Sequence, residues 1–272
     1  MENKRSNTPM KKIIIICSIL WSVVGAYAQE KKVLFVMSAA KELPLKNGKV
    51  YTNTGVFLSE FYLAYQDIVS LGYTVDFATL NGVVSSIDQE SYEKKYWKGK
   101  ENLMGEGTDF VKNDPKFNHP LTLEKALAGS NAYAGLVVPG GQGLMVDLIG
   151  DATMKEILKT FARDKKCVGL ICHAPALLTA IPKGENPYEG YQVNCVTGLE
   201  EFFIEKFVMK GQPFNRRIGK QLKKLGFQYI KGGPAKNFAV RDRQLVTSQN
   251  PFSNEAFSPL YRQALQAYEQ TL

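Results

Sequence analysis

Two hydrophobic periods alternate along the chain. Short β-rich apolar runs at residues 33–37, 74–80, 134–138 and 167–171 predict strands. Between them, residues 54–71 and 152–163 are amphipathic and predict helices, the first stopped by Gly72. Further strands are expected at 191–196, 227–230 and 245–247, and further helices at 174–180, 214–225 and 254–269. Strand and helix alternating in this way predict a mostly parallel α/β sheet with helices on both faces. Residues 84–118 interrupt the pattern. They are polar and aromatic, contain Gly99, Gly105, Gly107 and Pro115, and read as an inserted loop region. No repeat, low-complexity tract or linker divides the rest, so residues 29–272 read as one domain.

The N-terminal 28 residues carry a targeting signal. Lys11 and Lys12 precede an apolar run at 13–24, and Ala26-Tyr27-Ala28 forms a small-x-small cleavage pattern. The run is shorter than the roughly 20 residues a membrane span needs. The expectation is a signal peptide cleaved near Ala28, a mature chain starting near Gln29, and a periplasmic or secreted protein. Cys17 has no small residue before it, so a lipoprotein site is not expected. The mature chain then holds three cysteines, Cys167, Cys172 and Cys195, and an odd count leaves at least one thiol outside any intrachain bridge. The formal net charge is +8, of which the leader carries +3 and the remainder +5. A cluster at Lys220, Lys223 and Lys224 reads as a solvated helix face. No nucleic-acid recognition motif accompanies it, so no nucleic-acid partner is expected.

The candidate chemistry sits where strands end, since ligands of such sheets bind beyond the C-terminal strand ends. The run 168–171 leads straight into Cys172-His173-Ala174-Pro175, a strand turning into a helix with a nucleophile at the tip. A helix N-terminus below the thiol would favour its thiolate, so Cys172 is expected to be the most reactive thiol, with a pKa below the free value of about 8.5. Cys167 and Cys195 lie inside strand patterns and read as buried core. Glu60 interrupts an apolar stripe formed by Val56, Phe57, Leu63 and Ala64. Two readings stand for it: a buried carboxyl with a raised pKa beside the thiol, or a side chain reaching the helix edge for solvent. Pro139-Gly140-Gly141-Gln142-Gly143 follows a strand and offers backbone N–H groups to an oxyanion, or is simply a structural turn. No Lys-Ser/Thr follows these glycines and no dinucleotide fingerprint occurs, so no nucleotide is expected.

Taken together, Gly-Leu-Ile-Cys172-His173-Ala-Pro, Val-Pro-Gly140-Gly141, Thr54-Gly55-Val56-Phe57 before Glu60, and Leu245-Val246-Thr247 before Gln249-Asn250-Pro251 resemble the ThiJ/PfpI superfamily. This is a class I glutamine amidotransferase-like group, and the closer resemblance is to its heat-shock chaperone and glyoxalase III branch. The resemblance spans roughly residues 31–270. It implies a flavodoxin-like three-layer sandwich, a homodimer, and activity without a cofactor: methylglyoxal conversion to lactate, deglycation, or holdase action on unfolded proteins. It matches Cys172, His173 and Glu60 to the branch's site, and makes Glu201, with Glu205 as the alternative, the acid of a Cys-His-acid triad. Two departures stand out. Gln142 replaces a His usual in the branch, and no His precedes Glu60 in Val56-Phe57-Leu58-Ser59, so no metal is expected there. No His follows His173, which argues against the glutaminase or peptidase chemistry of related folds. A non-catalytic holdase or redox-sensing protein is the remaining alternative.

Overall fold

The computed structural model describes residues 31–272. The leader and its cleavage site lie outside the described residues. Seven strands form the central sheet: β1 (Lys32–Val36), β2 (Thr74–Thr79), β3 (Leu121–Thr122), β4 (Tyr133–Val138), β5 (Cys167–Ile171), β6 (Ala239–Asp242) and β7 (Leu245–Ser248). Their order is β6-β7-β5-β4-β1-β2-β3. Every neighbouring pair is parallel except the β6–β7 hairpin. The α-helices longer than one turn are α1 (Leu58–Ser70), α2 (Glu101–Asn113), α3 (Leu123–Ala128), α4 (Ala152–Arg163), α5 (Gly198–Phe203), α6 (Ile218–Lys224) and α7 (Asn254–Glu269).

The order in which strands are added across the sheet reverses between β1 and β4. The β1–α1–β2 crossover runs one way and β4–α4–β5 the other, so right-handed connections place α1 and α4 on opposite faces. This is the flavodoxin-like α/β sandwich, and its switch point lies at the C-terminal ends of β1 and β4. The strand interiors are almost wholly excluded from water, from Val33 to Met37 and through all of β5. On the α1 face, Phe35, Phe61, Phe77, Phe110 and Phe117 form an aromatic cluster with ring centroids 5.4–6.1 Å apart. On the same face, α7 sits directly on the sheet, where Tyr261 donates to the Leu136 carbonyl at 3.1 Å.

Four expectations need correction. The helix foreseen from Thr54 begins only at Leu58. Val56 is extended instead, donating to the Ser86 carbonyl at 2.8 Å and accepting from Asp88 N–H at 2.9 Å. The loop region at 84–118 contains the 13-residue helix α2. Gly107 looked like a breaker, but it is a contact: a Cβ there would lie 2.9 Å from the Tyr62 ring. Residues 174–180 form a 3₁₀ helix rather than an α-helix. The strand foreseen at 191–196 shrinks to Gln192–Val193, which pairs with Gln228–Tyr229 outside the main sheet.

Candidate active site

β5 delivers Cys172 to its C-terminal end, where the backbone takes φ +58°. A side-chain-bearing residue in this left-handed region costs about 1–3 kcal/mol and persists only where its surroundings hold it. Here they do. Cys172 N–H donates to the Ser248 carbonyl at 2.8 Å, and its carbonyl accepts from Val196 N–H at 3.0 Å. The turn therefore hangs between β7 and the 191–196 segment, with the side chain lifted out of the sheet. Cys172 remains only 4% exposed.

The loop after β4 closes over the thiol. Phe57 N–H donates to the Gly140 carbonyl at 3.1 Å, and Gly140 N–H donates to Glu60 Oε2 at 2.9 Å. Gly140 is pinched between the two candidate groups: a Cβ there would come 2.4 Å from Glu60 Oε2 and 2.7 Å from Cys172 Cβ. Glu60 is thus the buried carboxyl of the first reading, not an edge residue. Burial pushes its pKa up to about 8, against the opposing pull of the Cys172 thiol and Gly140 N–H. At neutral pH it holds a proton beside the sulfur.

His173 Nδ1 lies 3.2 Å from Cys172 Sγ. Its Nε2 lies 2.9 Å from Gln142 Nε2. With the amide nitrogen facing the ring as donor, Nε2 accepts and the ring proton sits on Nδ1, directed at sulfur. Burial holds the His173 pKa down to about 4, so the ring is neutral at physiological pH. The thiol itself departs from expectation. Burial, then the charges of Glu60 and Glu200, push Cys172 well above the ordinary thiol value. Burial is the larger cause: the sulfur is excluded from water, and desolvation outweighs any favourable field at the start of the 3₁₀ helix.

A cavity of about 390 Å³ opens over Cys172, His173 and Gln142. Phe57, Tyr96 and Phe252 form one wall, Phe57 meeting Tyr96 edge-on at 4.8 Å and Tyr96 lying 5.5 Å from Phe252. Asp88, Glu90 and Glu200 also line it.

The profile of the DJ-1/PfpI family matches residues 49–186. The chain belongs to the DJ-1/PfpI family. The protein/nucleic acid deglycase HchA of Escherichia coli is 25% identical over 244 residues, covering 89% of this chain and 83% of that protein. Among solved structures, glyoxalase III from Candida albicans superposes with a TM-score of 0.67 at 23% identity, covering 87% of this chain and 98% of that one. The Rapid Encystment Protein 24 kDa of Francisella tularensis also gives 0.67, at 20% identity over 86% and 99% of the two chains. These two structural likenesses speak to the fold.

Within this DJ-1/PfpI frame, the foreseen site residues separate into two groups. Cys172, His173, Glu60, Gly140, Gly141 and Gln142 come together around the sulfur. Glu201 and Glu205 do not reach His173. Glu201 Oε1 accepts from Arg217 N–H at 2.7 Å and caps the start of α6, while Glu205 forms a buried ion pair with Arg216 at 2.5 Å. Both His173 nitrogens are already engaged, and Gln142 occupies the position a triad acid would take. The oxyanion role foreseen for Gly140 also needs correction, because its N–H is committed to Glu60; Gly141 is the glycine on the cavity wall. Asp88 escaped the sequence reading. Burial pushes its pKa up to about 7. It reaches the cavity through the long-range Val56–Ile87 bridge, which no local pattern announces. Cys167 and Cys195 are buried and unbridged, as is Cys172.

Proposed function

We propose that the chain is a cofactor-independent enzyme acting on small reactive carbonyls, of the glyoxalase III or deglycase kind, with Cys172 as nucleophile. The observation that carries this reading is the strained, pinned Cys172 at the floor of a cavity, between a protonated Glu60 and a neutral His173. The named deglycase among the relatives supports the same class.

In this mechanism the thiol adds to the aldehyde carbon of a 2-oxoaldehyde, giving a hemithioacetal. The proton on that carbon moves to the adjacent carbonyl carbon through an enediol, leaving a thioester. Water then cleaves the thioester, returning the thiol and releasing a 2-hydroxy acid. Hydrogen bonds from Glu60 and from His173 Nδ1 stabilise the sulfur whenever it carries charge. Glu60 gives its proton to the hemithioacetal oxygen and, then a carboxylate, carries the proton from the first carbon to the second; it is reprotonated when the thioester is cleaved. Gln142 holds His173 in the tautomer that faces sulfur. For methylglyoxal the product is lactate. Incubation of purified protein with methylglyoxal, without added thiol or nucleotide, should yield lactate in equal amount to the dicarbonyl consumed. Consumption without lactate would reject the isomerising route and leave deglycation or simple adduct formation.

A holdase role is the second reading. It is favoured by a surface run of aromatic side chains, Phe202, Phe203, Phe207 and Phe214, which are 46–69% exposed. Suppression of client aggregation by protein with Cys172 blocked would support it. Export by cleavage near Ala28 and assembly as a homodimer complete the proposal. N-terminal sequencing of protein from the cell envelope, and its mass in solution, test them.

A further inference from the structure

We propose that the cavity above Cys172 selects neutral carbonyl compounds bearing an aromatic or comparably bulky apolar group, and discriminates against those bearing a carboxylate. The inference rests on the carbonyl reading and narrows its substrate class. Size is the first argument. A volume of about 390 Å³ falls in the range of roughly 300–1,000 Å³ that accommodates drug-sized ligands. A three-carbon dicarbonyl would leave most of that space to water, against walls that are poor partners for water.

The walls are the second argument. Phe57, Tyr96 and Phe252 present contiguous ring surface on one side. Phe203 lines the cavity and also stacks on Phe207, 5.9 Å away and 60% exposed, so the apolar surface continues out through the mouth. An aryl group seated here removes apolar surface on both partners from water, at about 25 cal/mol per Å². Edge and stacked contacts add to that.

Charge is the third. Asp88, Glu90 and Glu200 line the cavity, and among the described residues no Lys or Arg does. Lys95 engages Glu90 at 2.5 Å, but its side chain is 56% exposed and is not part of the lining. A substrate carboxylate would therefore enter a largely apolar space with carboxyl neighbours and no Lys or Arg in its lining, an unfavourable arrangement for a charge leaving water.

The test reads the cavity through Cys172 without requiring turnover. Three haloacetyl probes, iodoacetamide, iodoacetate and 2-iodo-N-phenylacetamide, are reacted with the protein. The rate at Cys172 is followed by peptide mass mapping and divided by each probe's rate with free cysteine. The expected normalised order is aryl over iodoacetamide by about tenfold, and iodoacetamide over iodoacetate by at least about tenfold, the scale at which an apolar pocket discriminates. Equal normalised rates, or an order set by probe size alone, would overturn the proposal. Phe252 is 37% exposed at the rim, so Phe252→Lys can solvate its ammonium and keep the fold. It should bring iodoacetate labelling up to that of iodoacetamide and erase the aryl advantage. Unchanged discrimination in that variant would count against the cavity as its source. In turnover, phenylglyoxal should exceed methylglyoxal in kcat/KM by about tenfold. Selective labelling with no dicarbonyl turnover would sink the enzymatic reading and keep the cavity's preference; turnover with unselective labelling would do the reverse.

Discussion

A carboxyl group buried as deeply as that of Glu60 resists ionisation, and this has a measurable cost. Its pKa stands at about 8 in the folded chain against 4.5 for an ordinary glutamate. For a group raised in this way, the contribution to stability is complete below the unfolded pKa and is lost as pH rises through the folded one. At pH 7 the loss is on the order of 3 kcal/mol, from one pKa unit being about 1.4 kcal/mol. Glu60→Gln keeps the acceptor for Gly140 N–H and removes the titration. Urea unfolding of the wild type should therefore weaken between pH 5 and 8, and the variant should show a flatter profile and higher stability at pH 7. A parallel decline in both proteins would mean that Glu60 is not the group responsible. The same substitution removes the proton relay, so carbonyl turnover should fall by at least about a hundredfold. Wild-type rates in Glu60→Gln would remove Glu60 from the chemistry. This residue was half legible beforehand. Four apolar residues at helical spacing marked it as buried, but they could not say that Gly140 would lie against it. Asp88 was not legible at all, because its place depends on a bridge between distant segments. Glu201 was misassigned because sequence register cannot tell which side of a six-residue helix faces the sulfur.

The elbow and the glycine loop form the second scale, where two elements must approach within contact distance. Gly140 stands between Glu60 and Cys172 with no room for a methyl group. Overpacking at such a point costs about 1–3 kcal/mol when the neighbours can shift. Here the neighbours include the Ile171 carbonyl at 2.8 Å, part of the sheet itself. Gly140→Ala should lower the midpoint of unfolding and slow Cys172 labelling by a neutral alkylating agent, because the thiol and carboxyl are forced apart. Normal stability with normal labelling would show that the loop is freer than its contacts indicate. The strand-to-helix turn was readable from an apolar run ending at Cys172-His173, since a buried strand has to end where polar and small residues begin. The 3₁₀ geometry of Ala174–Ala180 was not, nor was the depth of burial that raises the thiol pKa instead of depressing it. Helix α2 was hidden for a related reason: Gly107 looks like a turn residue until Tyr62 is seen lying against it.

At the scale of the whole molecule, the alternation of strand and helix patterns was enough to anticipate a parallel sheet covered on both faces. The DJ-1/PfpI motifs narrowed it to the flavodoxin-like form. The β6–β7 hairpin went unanticipated because β6 is only half buried along its length and has no alternating or continuous apolar signature. Three buried carboxyls, Glu60, Asp88 and Glu201, carry raised pKa values of about 8, 7 and 7. All three contributions are lost in the same direction as pH rises, so the thermal midpoint should be highest on the acid side of neutrality, near pH 5. A maximum above pH 8 would contradict that burial pattern. The account as a whole depends on one atom, the sulfur of Cys172. The most direct measurement is the rate of methylglyoxal conversion by Cys172→Ala beside the wild type, with circular dichroism to establish that both are folded. The account predicts clear turnover by the wild type and a loss of at least about a thousandfold in the variant, as expected when a covalent nucleophile is removed. Equal rates in the two folded proteins would contradict it.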